Sequence, residues 1–126
     1  MNNVANSIIY IRISEYMSSK LHIQKSNSQI AEQAEFFKQL SDPTRLALLH
    51  LLKDGEAKCV CDLVEALDIP QPTVSRHLGK LKSAGLVTAE RRGTWIWYAL
   101  NDGMPEWTNS VLQTAFANLN SADANL

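Results

Sequence analysis

A chain of 126 residues with 45% hydrophobic and 20% charged residues has room for one globular domain with a modest core. No apolar run approaches the roughly 18 residues that a membrane-spanning helix needs, and the short run from Ile8 to Ile13 lacks the flanks of a signal peptide. The composition therefore argues against a membrane protein, and we expect a cytoplasmic protein whose two cysteines are thiols.

The net charge of −1 conceals an uneven distribution. The window from Pro70 to Thr94 contains five basic residues and one acidic residue and so carries +4, whereas the remainder of the chain carries −5. A local positive region is the electrostatic footprint expected for a polyanion such as nucleic acid. The alternative interpretation is a solvated basic face without a partner.

The first part of the chain predicts an arm followed by two helices. Residues 1–27 show no clean periodicity, and we expect an N-terminal arm that is poorly ordered or depends on a partner. Between Ser28 and Leu40 the apolar residues recur at helical spacing. Ser41-Asp42-Pro43 then provides a cap and a first-turn proline for a second, leucine-rich helix.

The two cysteines, Cys59 and Cys61, are one residue apart. Thiols at this spacing can hold one soft ion where the backbone is extended, because residues i and i+2 then point the same way. In a regular α-helix they would diverge by about 200°, so chelation requires a frayed or distorted helix start. The alternative is that both are small buried apolar residues, as free cysteines usually are. Two thiols exclude a four-cysteine zinc site within one chain.

A short helix at about 61–67, a tight connection and a helix that begins at Pro72 predict a helix-turn-helix. In the second helix Val74, Leu78 and Leu81 form the stripe that faces the core. Short polar side chains near the start of such a helix reach base edges, and long cations reach phosphates. The residues of this helix that we expect to face DNA are Gln71, Thr73, Ser75, Arg76, His77 and Lys80.

Two β-rich runs follow, Leu86–Glu90 and Thr94–Leu100, and Arg91-Arg92-Gly93 separates them. A hairpin with a basic tip at this place is the wing of a winged helix. We expect Arg91 and Arg92 to reach phosphate or a minor groove. Arg76 either reads guanine or grips phosphate, and both interpretations remain open.

The last predicted helix, from about Pro105 to Asn120, carries more apolar residues than one core face requires. We infer a second apolar surface that is buried against another subunit. The residues assigned to this dimer interface are Ile30, Phe37, Trp107, Val111 and Leu112. The predicted fold is α+β and mainly helical: a winged helix-turn-helix at residues 28–120, with a two-stranded β-hairpin wing, terminal dimerisation helices and a tail at 121–126.

Four segments together resemble the ArsR/SmtB metalloregulators, specifically their arsenical-resistance branch: Phe37–Leu52, Cys59–Leu63, Gln71–Leu78 and the hairpin ending Tyr98-Ala99-Leu100. The resemblance covers roughly residues 29–118. It implies a homodimeric repressor that binds a palindromic operator and leaves it when arsenite or antimonite binds the third helix of the winged-helix domain. Carried over to this chain, the ligand pair is Cys59 and Cys61.

One departure from the pattern concerns Val64, where the best-known members have a third cysteine. A metalloid bound by two thiols would take its third ligand from a small thiol, a hydroxide or another protein group. The absence of histidine from the last predicted helix argues against the zinc-sensing branch.

Two other functions are open to a protein with these cysteines. A thiol-redox-responsive repressor, in which Cys59 and Cys61 oxidise, remains an alternative. A thiol enzyme is disfavoured, because no base-and-orienter group accompanies the cysteines.

Overall fold

Five helices and three short strands follow one another in residues 24–119, the part of the chain that the computed structural model describes. The chain divides into two compact units, residues 1–34 and 35–126. The predicted arm lies outside the described residues up to residue 23, as does the predicted tail at 121–126. The elements are α1 Gln24–Leu40, α2 Pro43–Leu51, β1 Lys58–Cys59, α3 Val60–Leu67, α4 Gln71–Ser83, β2 Val87–Arg92, β3 Trp95–Leu100 and α5 Glu106–Ala117.

In the first unit the structure describes residues 24–34, which form the first turns of α1. The side chains described there, from Ser28 to Ala34, are all exposed. Ile30, which the sequence assigned to a dimer interface, is one of these exposed side chains.

The start of α2 follows from its cap. Asp42 is extended, and its side chain accepts hydrogen bonds from the backbone N–H groups of Thr44 at 2.8 Å and Arg45 at 3.1 Å. Pro43 occupies the first turn, where the N–H that proline lacks would have had no intrahelical partner. The predicted cap and proline are therefore confirmed.

The helix-turn-helix consists of α3 and α4. Asp68 ends α3 in the left-handed conformation, with φ of 54°, and Pro72 lies in the first turn of α4. Val74, Leu78 and Leu81 are fully buried, so the predicted core stripe of the second helix is confirmed.

The hairpin of β2 and β3 confirms the predicted wing, and the sheet contains one more strand than the sequence indicated. The strand order is β1-β3-β2, and both pairings are antiparallel. In the two-residue strand β1, Lys58 pairs with Tyr98 and Cys59 pairs with Trp97. The central strand of the sheet is therefore β3, with the cysteine strand β1 on one side and β2 on the other.

Leucines fill the core between the helices and the sheet. The largest side chains that are fully buried are Leu48, Leu49, Leu52, Leu63, Leu78, Leu81, Leu86, Leu112 and Val74. Leu112 was assigned to the dimer interface, but its side chain has no exposed surface to offer a second subunit. The reason is helical spacing, because Leu112 lies on the same inward face of α5 as Thr108 and Phe116. In residues 24–119 no helix has both the length and the apolarity to cross a bilayer.

Candidate functional site

The two cysteines lie where β1 passes into α3. Cys59 ends the strand and is the N-cap of the helix, with φ of −65° and ψ of 143°, and Cys61 lies in the first helical turn. Their sulfur atoms lie in direct contact, with the Cα atoms 5.2 Å apart. The Sγ atom of Cys59 also accepts a hydrogen bond from the backbone N–H of Cys61 at 3.4 Å. The two side chains therefore converge on one point.

The backbone explains how the two thiols converge. Cys59 is extended and only Cys61 is helical, which is the arrangement in which side chains two residues apart can hold one ion.

The surroundings of the pair favour the charged form of a reduced thiol. Cys59 is buried and Cys61 is exposed, so a ligand can approach from the side of Cys61. The N-terminal end of a helix carries partial positive charge, which stabilises a thiolate. The neighbouring ammonium group of Lys58 is 2.9 Å from Asp54, and this hydrogen bond lowers the pKa of the Asp54 carboxyl. The ammonium group of Lys58 is therefore already paired with a carboxylate.

The protein supplies two sulfur ligands at this site. Within the described part of the chain, no group of three His, Cys, Asp or Glu side chains is arranged to hold a metal ion. Val64 is half-buried three residues after Cys61, a spacing that places both on one face of α3. The donor set fits a soft ion that takes two sulfurs and completes its coordination from outside the chain.

The recognition helix α4 presents most of the predicted DNA-facing residues at its surface. Gln71, Arg76 and Lys80 are exposed, and Thr73 and Ser75 are half-buried. All five side chains lie between the start of α4 and Lys80 and retain exposed surface.

His77 is an exception to the predicted DNA-facing set, because it is buried with 7% of its surface exposed. It lies three residues after Val74 and one before Leu78, which places it on the inward stripe of α4. Its Nδ1 atom is 3.3 Å from the guanidinium of Arg45 on α2. The placement of His77 among the residues that face DNA is therefore corrected.

The two wing arginines have different surroundings, although both are exposed. Arg92 donates through Nε to the carboxylate of Glu90 at 2.7 Å, and its guanidinium lies 4.6 Å from the centre of the Trp97 ring. Within the described residues no ion pair involves Arg91. The side chain of Arg92 thus contacts two neighbours on the wing, whereas Arg91 has no ion-pair partner among the described residues.

A small cavity of about 150 Å³ lies between α4 and the wing. Gln71 and Ser75 line it from the helix, and Thr94, Trp95 and Ile96 line it from the hairpin. The cavity is therefore lined by both α4 and the wing. Trp95 is 48% exposed there and was not selected from the sequence, although an aromatic residue beside a basic hairpin tip was a usable signal.

An aromatic cluster joins the end of α1 to the start of α5. The rings of Phe36 and Trp107 are 5.1 Å apart and those of Phe37 and Trp107 are 6.4 Å apart, measured between centroids. Phe37 remains 50% exposed, and Trp107 and Val111 are half-buried. Three of the residues assigned to the dimer interface thus retain surface that a second subunit can cover.

The comparisons with known proteins agree with this arrangement. The family described as "Bacterial regulatory protein, arsR family" matches residues 42–89, from the cap of α2 into β2. The arsenical resistance operon repressor of Escherichia coli strain K12 is 40% identical over 82 residues, which are 65% of this chain and 70% of that protein.

The solved structures that have the same fold and more than 25% identity include two DNA-binding regulators. One is the homodimeric winged helix-turn-helix DNA-binding domain of Mb0332 from Mycobacterium bovis, with 28% identity, a TM-score of 0.64, and coverage of 74% of this chain and 82% of that one. The other is the AntR antimony-specific transcriptional repressor, with 29% identity, a TM-score of 0.61, and coverage of 71% and 78%.

Proposed function

The chain belongs to the ArsR family of bacterial DNA-binding regulators, and we propose that it is a repressor released from DNA by arsenite or antimonite. It is a transcriptional regulator and not an enzyme. In this proposal a cytoplasmic homodimer binds a palindromic operator, and the metalloid binds Cys59 and Cys61. The convergence of the two sulfurs at the start of α3 carries the proposal, because it provides a two-thiolate site beside the recognition helix.

Contact with DNA is assigned to α4 and the wing. The short polar side chains Gln71, Thr73 and Ser75 lie near the start of α4, where a recognition helix meets base edges. Arg76 and Lys80 are exposed cations on the same helix.

The Mycobacterium bovis domain is a homodimer, and the exposed aromatic surface around Phe37 supports the same assembly here.

Release is assigned to a change at the start of α3. A metalloid bound to both sulfurs engages the Sγ atom of Cys59, which otherwise accepts the backbone N–H of Cys61 and so caps the helix. Loss of this cap alters the first turn of α3, which packs directly against α4. The ligand favours the DNA-free conformation only to the extent that it binds that conformation more tightly.

The test replaces each thiol in turn. A duplex selected from a random library by the reduced wild-type protein serves as the operator probe, and fluorescence anisotropy follows its release by sodium arsenite. Cys59→Ser and Cys61→Ser should bind the duplex with nearly wild-type affinity and stay bound at arsenite concentrations that release the wild type. If both variants dissociate like the wild type, the sensing site lies elsewhere.

A redox-responsive repressor is the second candidate, and the direct contact between the sulfur atoms of Cys59 and Cys61 favours it. In that case the same two residues respond to a thiol oxidant instead of a metalloid. Diamide without arsenite should then release the duplex, and a reductant should restore binding. Release by arsenite in the presence of a phosphine reductant, with no release by diamide, would leave only the metalloid function.

A further inference from the structure

A buried cluster of polar side chains joins α4 to α1 and α2. The side chain of Arg45 is only 7% exposed. Its Nε donates to the carbonyl oxygen of Gln39 at 2.9 Å, and its Nη2 donates to that of Lys38 at 3.2 Å, both in the last turn of α1. Its Nη1 lies 3.3 Å from Nδ1 of His77 on α4. One guanidinium on α2 therefore holds the end of α1 and the middle of α4.

The contact with Arg45 requires a neutral His77. A guanidinium has only donors, so Nδ1 must act as the acceptor and the single ring proton must sit on Nε2. A second proton would make Nδ1 a donor and set two cations against each other in a buried place. Protonation of His77 is therefore incompatible with the contact as it stands.

The charges around His77 come from α2, its cap and α4 itself. Burial lowers the pKa of His77, and Asp42, whose carboxylate is 3.9 Å from Nδ1, acts in the opposite direction. The cations Arg45, Arg76 and Lys80 lower it further. The helix α3 and the strand β2 also pack against α4, but they place no charged group among those that shift this pKa.

We propose that Arg45 and His77 are positioning residues that hold α4 in its DNA-binding pose, so that operator binding requires a neutral His77. The proposal rests on the DNA-binding function given above. His77 directly follows the exposed Arg76 and precedes Lys80 by three residues, so movement of its ring away from Arg45 turns both cations. No side chain caps the start of α4, which leaves the contacts of its inward face to fix its orientation.

The direction of the pH dependence distinguishes loss of the contact between Arg45 and His77 from the general effect of added positive charge. Protonation of histidines adds positive charge to the protein, which by itself tightens binding to DNA at low pH. Loss of the Arg45 contact acts the other way, and an equilibrium that requires one deprotonated group weakens by at most about tenfold per pH unit. A decrease in affinity on acidification is therefore diagnostic.

The experiment measures affinity for the selected duplex between pH 7.5 and 5.5 at constant salt. Wild-type affinity should fall on acidification by a measurable factor of less than about tenfold for each subunit, because burial keeps the pKa of His77 below its usual value of about 6.5. His77→Asn offers a neutral acceptor at every pH and should change less than twofold. His50→Gln is the matched control: His50 is a partly buried histidine on α2 that contacts Phe116 instead of α4, and this variant should follow the wild type.

Circular dichroism at each pH establishes that the variants are folded, and His77→Gln replaces His77→Asn if the latter is not. A wild-type affinity that is independent of pH, or a His77 variant that weakens like the wild type, would overturn the proposal. A selection that enriches no duplex at pH 7.5 would contradict the DNA-binding function and this inference together. A pH-independent affinity for an enriched duplex would contradict the inference alone.

Discussion

Trp97 lies directly opposite Cys59 in the sheet, and its ring carries the guanidinium of Arg92 at 4.6 Å. Paired residues of antiparallel strands place their side chains on the same face. Glu90, which pairs with Trp97 from the other side, holds Arg92 at 2.7 Å. One face of the sheet thus runs from Cys59 to the wing. We therefore expect a displacement of the sulfur atoms to displace the guanidinium of Arg92 as well.

The two wing arginines should contribute differently to DNA binding. Arg91→Ala should weaken binding to selected and random duplexes alike and reduce the salt slope by about one unit per subunit. Arg92→Ala should reduce the slope less, because Glu90 already neutralises that charge. Affinity across a salt series measures both slopes.

Glu90→Gln is the control for this difference, since it frees Arg92 without removing a cation. It should raise the salt slope above the wild-type value. Equal losses of slope in the two arginine variants would show that the ion pair with Glu90 does not restrain Arg92 when DNA is bound.

A third thiol on α3 should strengthen metalloid binding. Val64→Cys places sulfur three residues after Cys61 on the same helical face, within reach of a ligand held by the pair. Isothermal titration of the reduced variant with arsenite should give a lower dissociation constant than the wild type. Val64→Ser is the matched control for size, and an equal gain in that variant would show that the thiol is not the cause.

The aromatic cluster at the end of α1 should support the dimer. Phe37→Asp puts a charge on a side chain that is 50% exposed, and it should raise the dimer dissociation constant because a second subunit would have to bury a carboxylate. Trp95→Asp changes an aromatic side chain of similar exposure on the wing and should leave the dimer intact. Sedimentation at micromolar concentration distinguishes the two, and a wild-type monomer would contradict the assignment.

The free energy of unfolding should fall as the pH falls below about 6.5, the usual pKa of histidine in an unfolded chain. Burial lowers the pKa values of both His50 and His77 in the folded chain. The unfolded chain therefore binds these protons more readily, and stability present above pH 6.5 is lost on acidification. The stability that Asp54 contributes through the pKa lowered by Lys58 is lost only below about pH 3.8, so urea unfolding between pH 7.5 and 5.0 reports on the histidines.

His50→Leu should reduce this pH dependence and raise stability at pH 7.5. The Nδ1 atom of His50 is buried and has no hydrogen-bond partner in the described part of the chain, and removal of such an atom is worth about 1 kcal/mol. A leucine retains the packing against Phe116. If the variant is less stable than the wild type at both pH values, packing by the imidazole outweighs the unpaired nitrogen.

The order of the helices and the wing could be predicted because their signals are local. The cap at Asp42 and Pro43, the apolar stripe from Val74 to Leu81 and the basic hairpin tip each depend on a few neighbouring residues. The same stripe also carried the information that His77 is buried, since a residue three after Val74 must share its face. Treating histidine as a polar residue led to the prediction that His77 is exposed.

The geometry of the cysteines depended on a partner distant in the sequence. Lys58 and Cys59 become a strand only because β3 lies beside them, about forty residues later in the chain. A strand of two residues leaves no alternating pattern to read, so the sequence predicted the helix that follows Cys59 but not the strand that Cys59 ends. The core position of Leu112 was missed for a similar reason, because α5 has apolar residues on more than one side and its inward face is fixed by tertiary contacts.

The shortness of β1 limits the free energy that a small ligand needs in order to displace this strand from β3. A two-residue strand can offer only a few backbone hydrogen bonds to β3, each with a net value of about 1 kcal/mol. A tenfold change in the dissociation constant for DNA corresponds to about 1.4 kcal/mol. The backbone hydrogen bonds that hold Cys59 beside β3 are therefore of the same size as the response that ligand binding at this residue has to produce.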